Sequence, residues 1–227
     1  MDYKEFLSNK RFVLESSGFD IDKSELNPML YEFQKDIVRW ALKKGKACIF
    51  ADCGLGKTPM QLSWAYQVHR HTGGKVLILA PLAVADQTKR EAEKFGYSAK
   101  VVESQADCID GINITNYEKL DRFIANEFKG IVLDESSILK SYSGKVRTAI
   151  IQNFHEVPYK LACTATPAPN DYMELGNHSE FCGVMTRPEM LSMFFVHDGG
   201  GDFQVEIKRP RRRCILAMAG NIQRVCG

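Results

Sequence analysis

Ala51-Asp52-Cys53-Gly54-Leu55-Gly56-Lys57-Thr58 is the stretch on which the fold turns. It follows an apolar run, Ala47–Ala51, that reads as a strand, and it opens a segment that reads as a helix. Gly54 and Gly56 let the backbone turn tightly and approach a ligand closely, with Leu55 between them. The amide N–H groups of such a turn can wrap phosphates, and the positive end of the following helix adds to the attraction. Lys57 is placed to reach the β- and γ-phosphates of a nucleotide as a point charge, and the Thr58 hydroxyl is a candidate magnesium ligand. ATP and Mg2+ are the expected cofactors, with Gly54, Leu55, Gly56, Lys57 and Thr58 around the phosphates. Pro59 falls in the first helical turn, where its missing N–H is harmless. The bland alternative is a glycine-rich turn that happens to precede Lys-Thr, and the strand and helix on either side argue against it.

Gly130-Ile131-Val132-Leu133-Asp134-Glu135 is an apolar strand that ends in two carboxylates, where an open α/β sheet presents catalytic groups. Alone it would be weak, since an exposed Asp-Glu turn looks the same. Downstream of a phosphate loop it reads as a Walker B: Asp134 holds magnesium through its water shell, and Glu135 orients and deprotonates the attacking water. Lys57, Asp134 and Glu135 are therefore the expected catalytic residues.

Around these two motifs, apolar runs rich in Val, Ile and Leu alternate with amphipathic stretches, the pattern of a mostly parallel sheet with crossover helices. The predicted strands are Ala47–Ala51, Lys75–Ala80, Lys100–Glu103, Gly111–Thr115, Gly130–Leu133 and Tyr159–Thr164. Phe33, Ile37, Trp40 and Ala41 are placed on one helical face, and Val84–Phe95, Ser143–Phe154 and Asp171–Glu180 also suit helices. The 227 residues, 44% hydrophobic and 26% charged, can bury a substantial core, which excludes global disorder. A net charge of +2 is too mild to announce a nucleic-acid partner from bulk electrostatics, so such a partner must rest on motifs. No membrane span or secretory signal is apparent, and a cytoplasmic location is expected. Seven cysteines without a C-x-x-C pair argue against a zinc site and a disulfide framework.

The sequence resembles the superfamily-two helicases, and within them the Swi/Snf-like translocases of phage and prophage genomes, from about Asn27 to Asp198. Superfamily-two members commonly carry Ala at the position of Ala51, where the general P-loop pattern has glycine. Leu30-Tyr31-Glu32-Phe33-Gln34 is similar to the family's glutamine motif, which implies that Gln34 reads the adenine edge and that the Phe33 region packs by the base. Leu79-Ala80-Pro81 and Ile114-Thr115-Asn116-Tyr117 resemble motifs Ia and Ib, which family members use to touch the nucleic-acid backbone. Asp134-Glu135-Ser136-Ser137 stands where others have Asp-Glu-Ala-Asp or Asp-Glu-Ala-His. Cys163-Thr164-Ala165-Thr166-Pro167 resembles motif III, whose hydroxyls couple hydrolysis to DNA. Each minor motif alone has a bland reading as a helix start or a strand exit, but their order is that of the family.

The resemblance implies a three-layer RecA-like domain over 27–198, preceded by a lead-in at 1–26 and followed by an irregular basic tail at 199–227. It also implies DNA as partner, and a second RecA-like lobe with arginine fingers that this sequence does not contain. A lone first lobe is expected to bind ATP and hydrolyse it weakly, as the family fragment of a DNA-dependent ATPase. The run Lys208-Arg209-Pro210-Arg211-Arg212-Arg213 is open to two readings, a DNA-contacting patch or the product of a frameshift in the guanine-rich codons of Gly199 to Gly201. Two further functional readings stay open: a nucleotide-dependent binding module without turnover, and a P-loop ATPase unrelated to nucleic acid.

Overall fold

Strands that are apolar at consecutive positions must be covered on both faces. The computed structural model, which describes residues 16–140, 144–168, 174–194 and 222–225, builds such runs into one sheet. Its strands are β1 (Lys46–Ala51), β2 (Lys75–Ala80), β3 (Ala99–Val101), β4 (Ile112–Asn116), β5 (Phe128–Asp134), β6 (Tyr159–Thr164) and β7 (Ile222–Val225). Their order is β3-β4-β2-β5-β6-β1-β7, and every neighbouring pair is parallel. The helices are α1 (Glu32–Lys44), α2 (Lys57–Thr72), α3 (Ala85–Lys94), α4 (Lys145–Asn153), α5 (Leu175–Phe181) and α6 (Arg187–Phe194).

Alternate residues of each strand feed opposite faces. Ile49, Val76, Ile78, Val132 and Leu161 pack with Ile37, Trp64 and Ala92 of the first three helices. Phe50, Leu77, Leu79, Ile131 and Leu133 pack on the other side with Ile150, Phe181 and Met190 of α4, α5 and α6. The result is the expected three-layer α/β domain. Fully buried Trp64 and Phe181 anchor the two layers.

Several expected boundaries shift. The inner stripe of α1 is Gln34, Ile37, Val38, Ala41 and Leu42, a spacing of three and four residues. Phe33 is 40% exposed and Trp40 only half-buried, so the face predicted through them is rotated towards Gln34. The strand expected at Lys100–Glu103 is shorter and earlier: β3 ends at Val101, the Val102 N–H makes its last bond to β4, at 2.9 Å to Ile114 O, and the chain then bends away. Of the helix expected at Asp171–Glu180, residues 171–173 lie outside the described part, and α5 starts at Leu175. The lead-in is partly docked: Phe19 N–H donates to Leu42 O at 3.1 Å, the Phe19 ring stacks on His71 at 3.8 Å, and Leu26 is buried. Within the tail expected to be irregular, Ile222–Val225 forms β7 against β1, and the rest lies outside the described residues, as do the basic run and the segment proposed as frameshifted.

Parallel pairing brings every carboxyl end to one edge of the sheet. In register, Phe50 lies beside Thr164, Cys163 beside Asp134, Leu133 beside Leu79, and Ala80 beside Asn116. The glycine-rich loop after β1, the acidic pair at the end of β5 and the segments after β2, β4 and β6 thus share one rim. Gly130 is what lets β5 sit under α2, since a Cβ there would lie 3.0 Å from Val68 Cγ1 and 3.3 Å from Val76 Cγ1. Both valines are fully buried and have no room to withdraw. Gly130→Val is expected to destabilise the fold by about 2 kcal/mol or more, as overpacking does. Urea unfolding checks this, and an unchanged midpoint would contradict the packing described.

Candidate active site

The loop between β1 and α2 has the backbone its glycines allow. Gly54 and Gly56 have φ of +84° and +76°, values that L side chains avoid. Gly56 is the N-cap of α2, a 16-residue helix with no side-chain cap and no acidic residue in its first turn. Its leading N–H groups and the positive end of its dipole are therefore left for an outside anion. Lys57 Nζ donates to Ala51 O at 3.1 Å and lies 3.5 Å from Asp52 O, so the ammonium sits over the same loop. Half-buried Thr58 follows it on α2.

Gln34 has a different immediate task from the one the resemblance implies. Its Oε1 accepts from Tyr31 N–H at 3.0 Å, and its Nε2 donates to Leu55 O at 3.1 Å. The carboxamide therefore ties the start of α1 to the glycine-rich loop, which uses half of its hydrogen-bonding capacity. A Cβ at Gly56 would meet Gln34 Nε2 at 2.3 Å, so a side chain there would displace the carboxamide from Leu55 as well as strain the backbone at φ +76°. Tyr31 and Phe33, with ring centroids 6.1 Å apart and nearly parallel, stand exposed on the same side of α1.

Across β6, Asp134 is 5% exposed and its Oδ1 accepts from Gln61 Nε2 at 2.7 Å. Burial raises its carboxyl above the usual carboxylate range, opposed by the Gln61 bond, the Glu135 N–H and the Lys57 charge. A divalent cation would reverse that shift, and the oxygen donors of Asp134 and Thr58 suit a hard ion such as Mg2+. Glu135 has φ +51°, the one positive φ outside glycine among the described residues. Its Oε2 accepts from Thr164 Oγ1 at 3.4 Å, and that hydroxyl in turn accepts from Thr166 N–H at 3.1 Å. The hydroxyl coupler expected after β6 thus touches the acidic pair directly.

Behind the pair, Ser136 Oγ and the buried His178 Nε2 are 3.0 Å apart, and the imidazole meets the Phe50 ring edge-on at 5.3 Å. Burial pushes the His178 pKa down to about 4, so the ring is neutral near pH 7. Asn177 Nδ2 donates to Leu139 O at 2.6 Å, and Arg147 bonds Asn177 Oδ1 at 3.1 Å and pairs with Glu180. These contacts fasten α5 to the turn after Asp134-Glu135 and, through Arg147, to α4. In front, a cleft of about 360 Å³ is lined by Pro81, Leu82, Asn116, Tyr117, Glu135 and Val146, joining the segments after β2 and β4 to the acidic pair.

Sequence reading missed Gln61, the Tyr117 hydroxyl and His178. Gln61 carries one legible signal: it lies one turn after Lys57 on the same helical face, a buried amide among Met60, Leu62 and Trp64. Among the cysteines, Cys48 and Cys163 are buried thiols as expected, Cys53 is exposed in the loop, and Cys48 Sγ lies 3.4 Å from Cys182 Sγ. No helix among the described residues is long and apolar enough to cross a membrane.

A family model described as type III restriction enzyme, res subunit, matches residues 23–169. The chain is 28% identical over 170 residues to a chromodomain-helicase-DNA-binding protein 1-like from Danio rerio, covering 64% of this chain and 16% of that protein. It is 26% identical over 197 residues to a chromodomain-helicase-DNA-binding protein 3 homolog from Caenorhabditis elegans, covering 67% of this chain and 11% of that one. The fold is similar to the Sulfolobus solfataricus SWI2/SNF2 ATPase core in complex with dsDNA, with TM-score 0.72 and 22% identity over 90% of this chain and 46% of that one. It is also similar to the UvsW helicase from bacteriophage T4, with TM-score 0.57 and 18% identity over 82% of this chain and 65% of that chain.

The buried imidazole makes stability depend on pH. The unfolded chain takes up its proton near pH 6.5, whereas the folded chain does so only near His178's value of about 4. The unfolded state binds more protons between those values, so this contribution is lost as pH falls from about 6.5 to 4 and is constant above. His178→Gln is expected to flatten the slope of urea midpoint against pH in that window. Parallel slopes for the variant and the parent would show that the ring titrates normally.

Proposed function

The chain belongs to the family described as type III restriction enzyme, res subunit, with the core of a superfamily-two, Swi/Snf-like helicase, and from that premise we propose that it is the ATP-binding lobe of a DNA-dependent ATPase. One observation carries this reading. Lys57 and Thr58 at the start of α2, and Asp134 and Glu135 at the end of β5, reach the same sheet edge with β6 between them, joined by the 2.7 Å Gln61–Asp134 bond.

In this reading the N–H groups of Gly54, Leu55 and Gly56 hold the phosphates, and Lys57 exchanges the Ala51 and Asp52 carbonyls for the β- and γ-phosphate oxygens. Thr58 and Asp134 hold Mg2+, which when bound neutralises charge on the transferring phosphoryl group. Glu135 takes the proton of the attacking water, with its carboxylate steered by Thr164. Gln34 uses its remaining hydrogen-bonding capacity on the adenine edge, with the exposed Tyr31 and Phe33 rings beside the base.

The partner in this reading is DNA, held by its phosphate backbone along the rim of Pro81, Asn116 and the Thr164–Thr166 segment. Such binding is sensitive to salt and nearly blind to sequence. The printed description of the Sulfolobus core as a dsDNA complex, and the helicase and DNA-binding names of the relatives, support it. A second RecA-like lobe is the further partner proposed for turnover. An arginine supplied from outside the lobe contributes roughly 10³ to 10⁵ in related NTPases, so the lobe without that arginine is expected to turn over slowly.

Glu135→Gln is expected to bind Mg-ATP within about threefold of the parent while losing at least roughly 10²-fold in hydrolysis, as loss of a general base does. Equilibrium binding of a fluorescent ATP analogue and single-turnover hydrolysis, with and without duplex DNA, measure both. A parent chain that binds ATP and DNA with no hydrolysis above the variant would favour a nucleotide-dependent binding module. A hydrolysis rate and an ATP affinity both indifferent to DNA would remove the nucleic-acid partner.

A further inference from the structure

The peptide that joins Asp134 to Glu135 is held at both of its polar ends. Its N–H lies by the carboxylate of Asp134 and eases the charge there. Its carbonyl accepts from the hydroxyl of Tyr117 at 2.6 Å. That hydroxyl stands where a strand partner has run out: pairing of β5 with β2 ends at Leu133 and Leu79, and the chain beyond Ala80 is Pro81, which has no N–H to offer. The ring itself is buried in the apolar layer with Leu120 and Phe123, where a hydroxyl is costly unless it is bonded. Packing alone would be served by phenylalanine. The orientation of this peptide fixes ψ of Asp134 and φ of Glu135, and Glu135 sits at φ +51°, a region that side chains other than glycine seldom occupy.

We infer that Tyr117 is a positioning residue for hydrolysis: by holding the Asp134 carbonyl, it keeps Glu135 in the left-handed conformation that brings its carboxylate to Thr164. Tyr117 also opens the helical turn Tyr117–Arg122 after β4 and lines the same cleft as Glu135. A ligand that moves this turn therefore acts on the backbone of Glu135 through one hydrogen bond, without touching its side chain. Three other bonds to Glu135, from Thr164 Oγ1 to its carboxylate and from Ile138 N–H at 3.2 Å and Ser137 Oγ at 3.5 Å to its carbonyl, hold the carboxylate and the following peptide but leave the carbonyl of the preceding peptide to Tyr117. The inference rests on the reading of Glu135 as general base.

Tyr117→Phe in the full chain tests it, since phenylalanine keeps the ring in its apolar seat and removes only the donor. Mg-ATP affinity is expected to stay within about twofold, while single-turnover hydrolysis falls on the order of tenfold, the loss of one hydrogen bond to a strained peptide. In a Glu135→Gln background the same change is expected to alter hydrolysis no further, because both act through one group. A crystal structure of Tyr117→Phe is expected to show the 134–135 peptide rotated and Glu135 out of the left-handed region. An unchanged φ at Glu135, or a tenfold loss that persists beside Glu135→Gln, would overturn the inference. If the parent and Glu135→Gln hydrolyse ATP equally, the general-base reading fails instead, and the peptide geometry of Tyr117→Phe alone decides what the hydroxyl does.

Discussion

Parallel pairing is the constraint on which the rest of the molecule depends. Strands that run the same way end at the same edge, so residues far apart in the chain are delivered to one rim without any need to be neighbours. With the order β4-β2-β5-β6-β1, the acidic pair stands one strand away from the glycine-rich loop on one side and beside the segments after β2 and β4 on the other. Crossover helices cover both faces, and their burial fixes the register that sets Asp134 beside Cys163 and Thr164 beside Phe50.

Local features were legible in the sequence because their causes are local. A strand, two glycines and Lys-Thr can fold in few other ways, and an apolar run that ends in two carboxylates announces a sheet edge. Contacts between distant elements were not legible. Gln61 reaches Asp134 across 73 positions of chain, and His178 reaches Ser136 across 42, so neither leaves a mark in any window of sequence. The positive φ of Glu135 was hidden for a related reason: it follows from what holds the peptide before it, and the holder is Tyr117 from another strand end. On α1 the error was of another kind. Spacing puts apolar Phe33 and Trp40 on one face with Ile37 and Ala41, yet polar Gln34 takes their place in the buried stripe because it has two partners there.

Polar groups at this rim act in pairs that cross between elements: Gln61 with Asp134, Thr164 with Glu135, Ser136 with His178, Asn177 with Leu139. Each satisfies a buried group whose desolvation would otherwise be costly, and each also joins two separate segments of the chain. Stability and site geometry therefore share the same bonds. A side chain removed from this network disturbs both at once, which is why conservative variants separate the roles better than alanine does.

The link from Gln34 to Leu55 has a thermodynamic side. Fixing one residue of a flexible loop costs roughly 1–2 kcal/mol in conformational entropy, so ordering a loop of this length at the moment of binding would weaken affinity considerably. Here the start of α1 has already ordered it: the carboxamide holds the Leu55 carbonyl, and the Gly56 backbone fits against the same group. The ordering cost is met during folding, by burial of Ile37, Val38, Ala41 and Leu42 elsewhere on the helix. A ligand of this loop would meet a backbone already held, and its affinity would reflect the contacts it makes rather than the disorder it must remove.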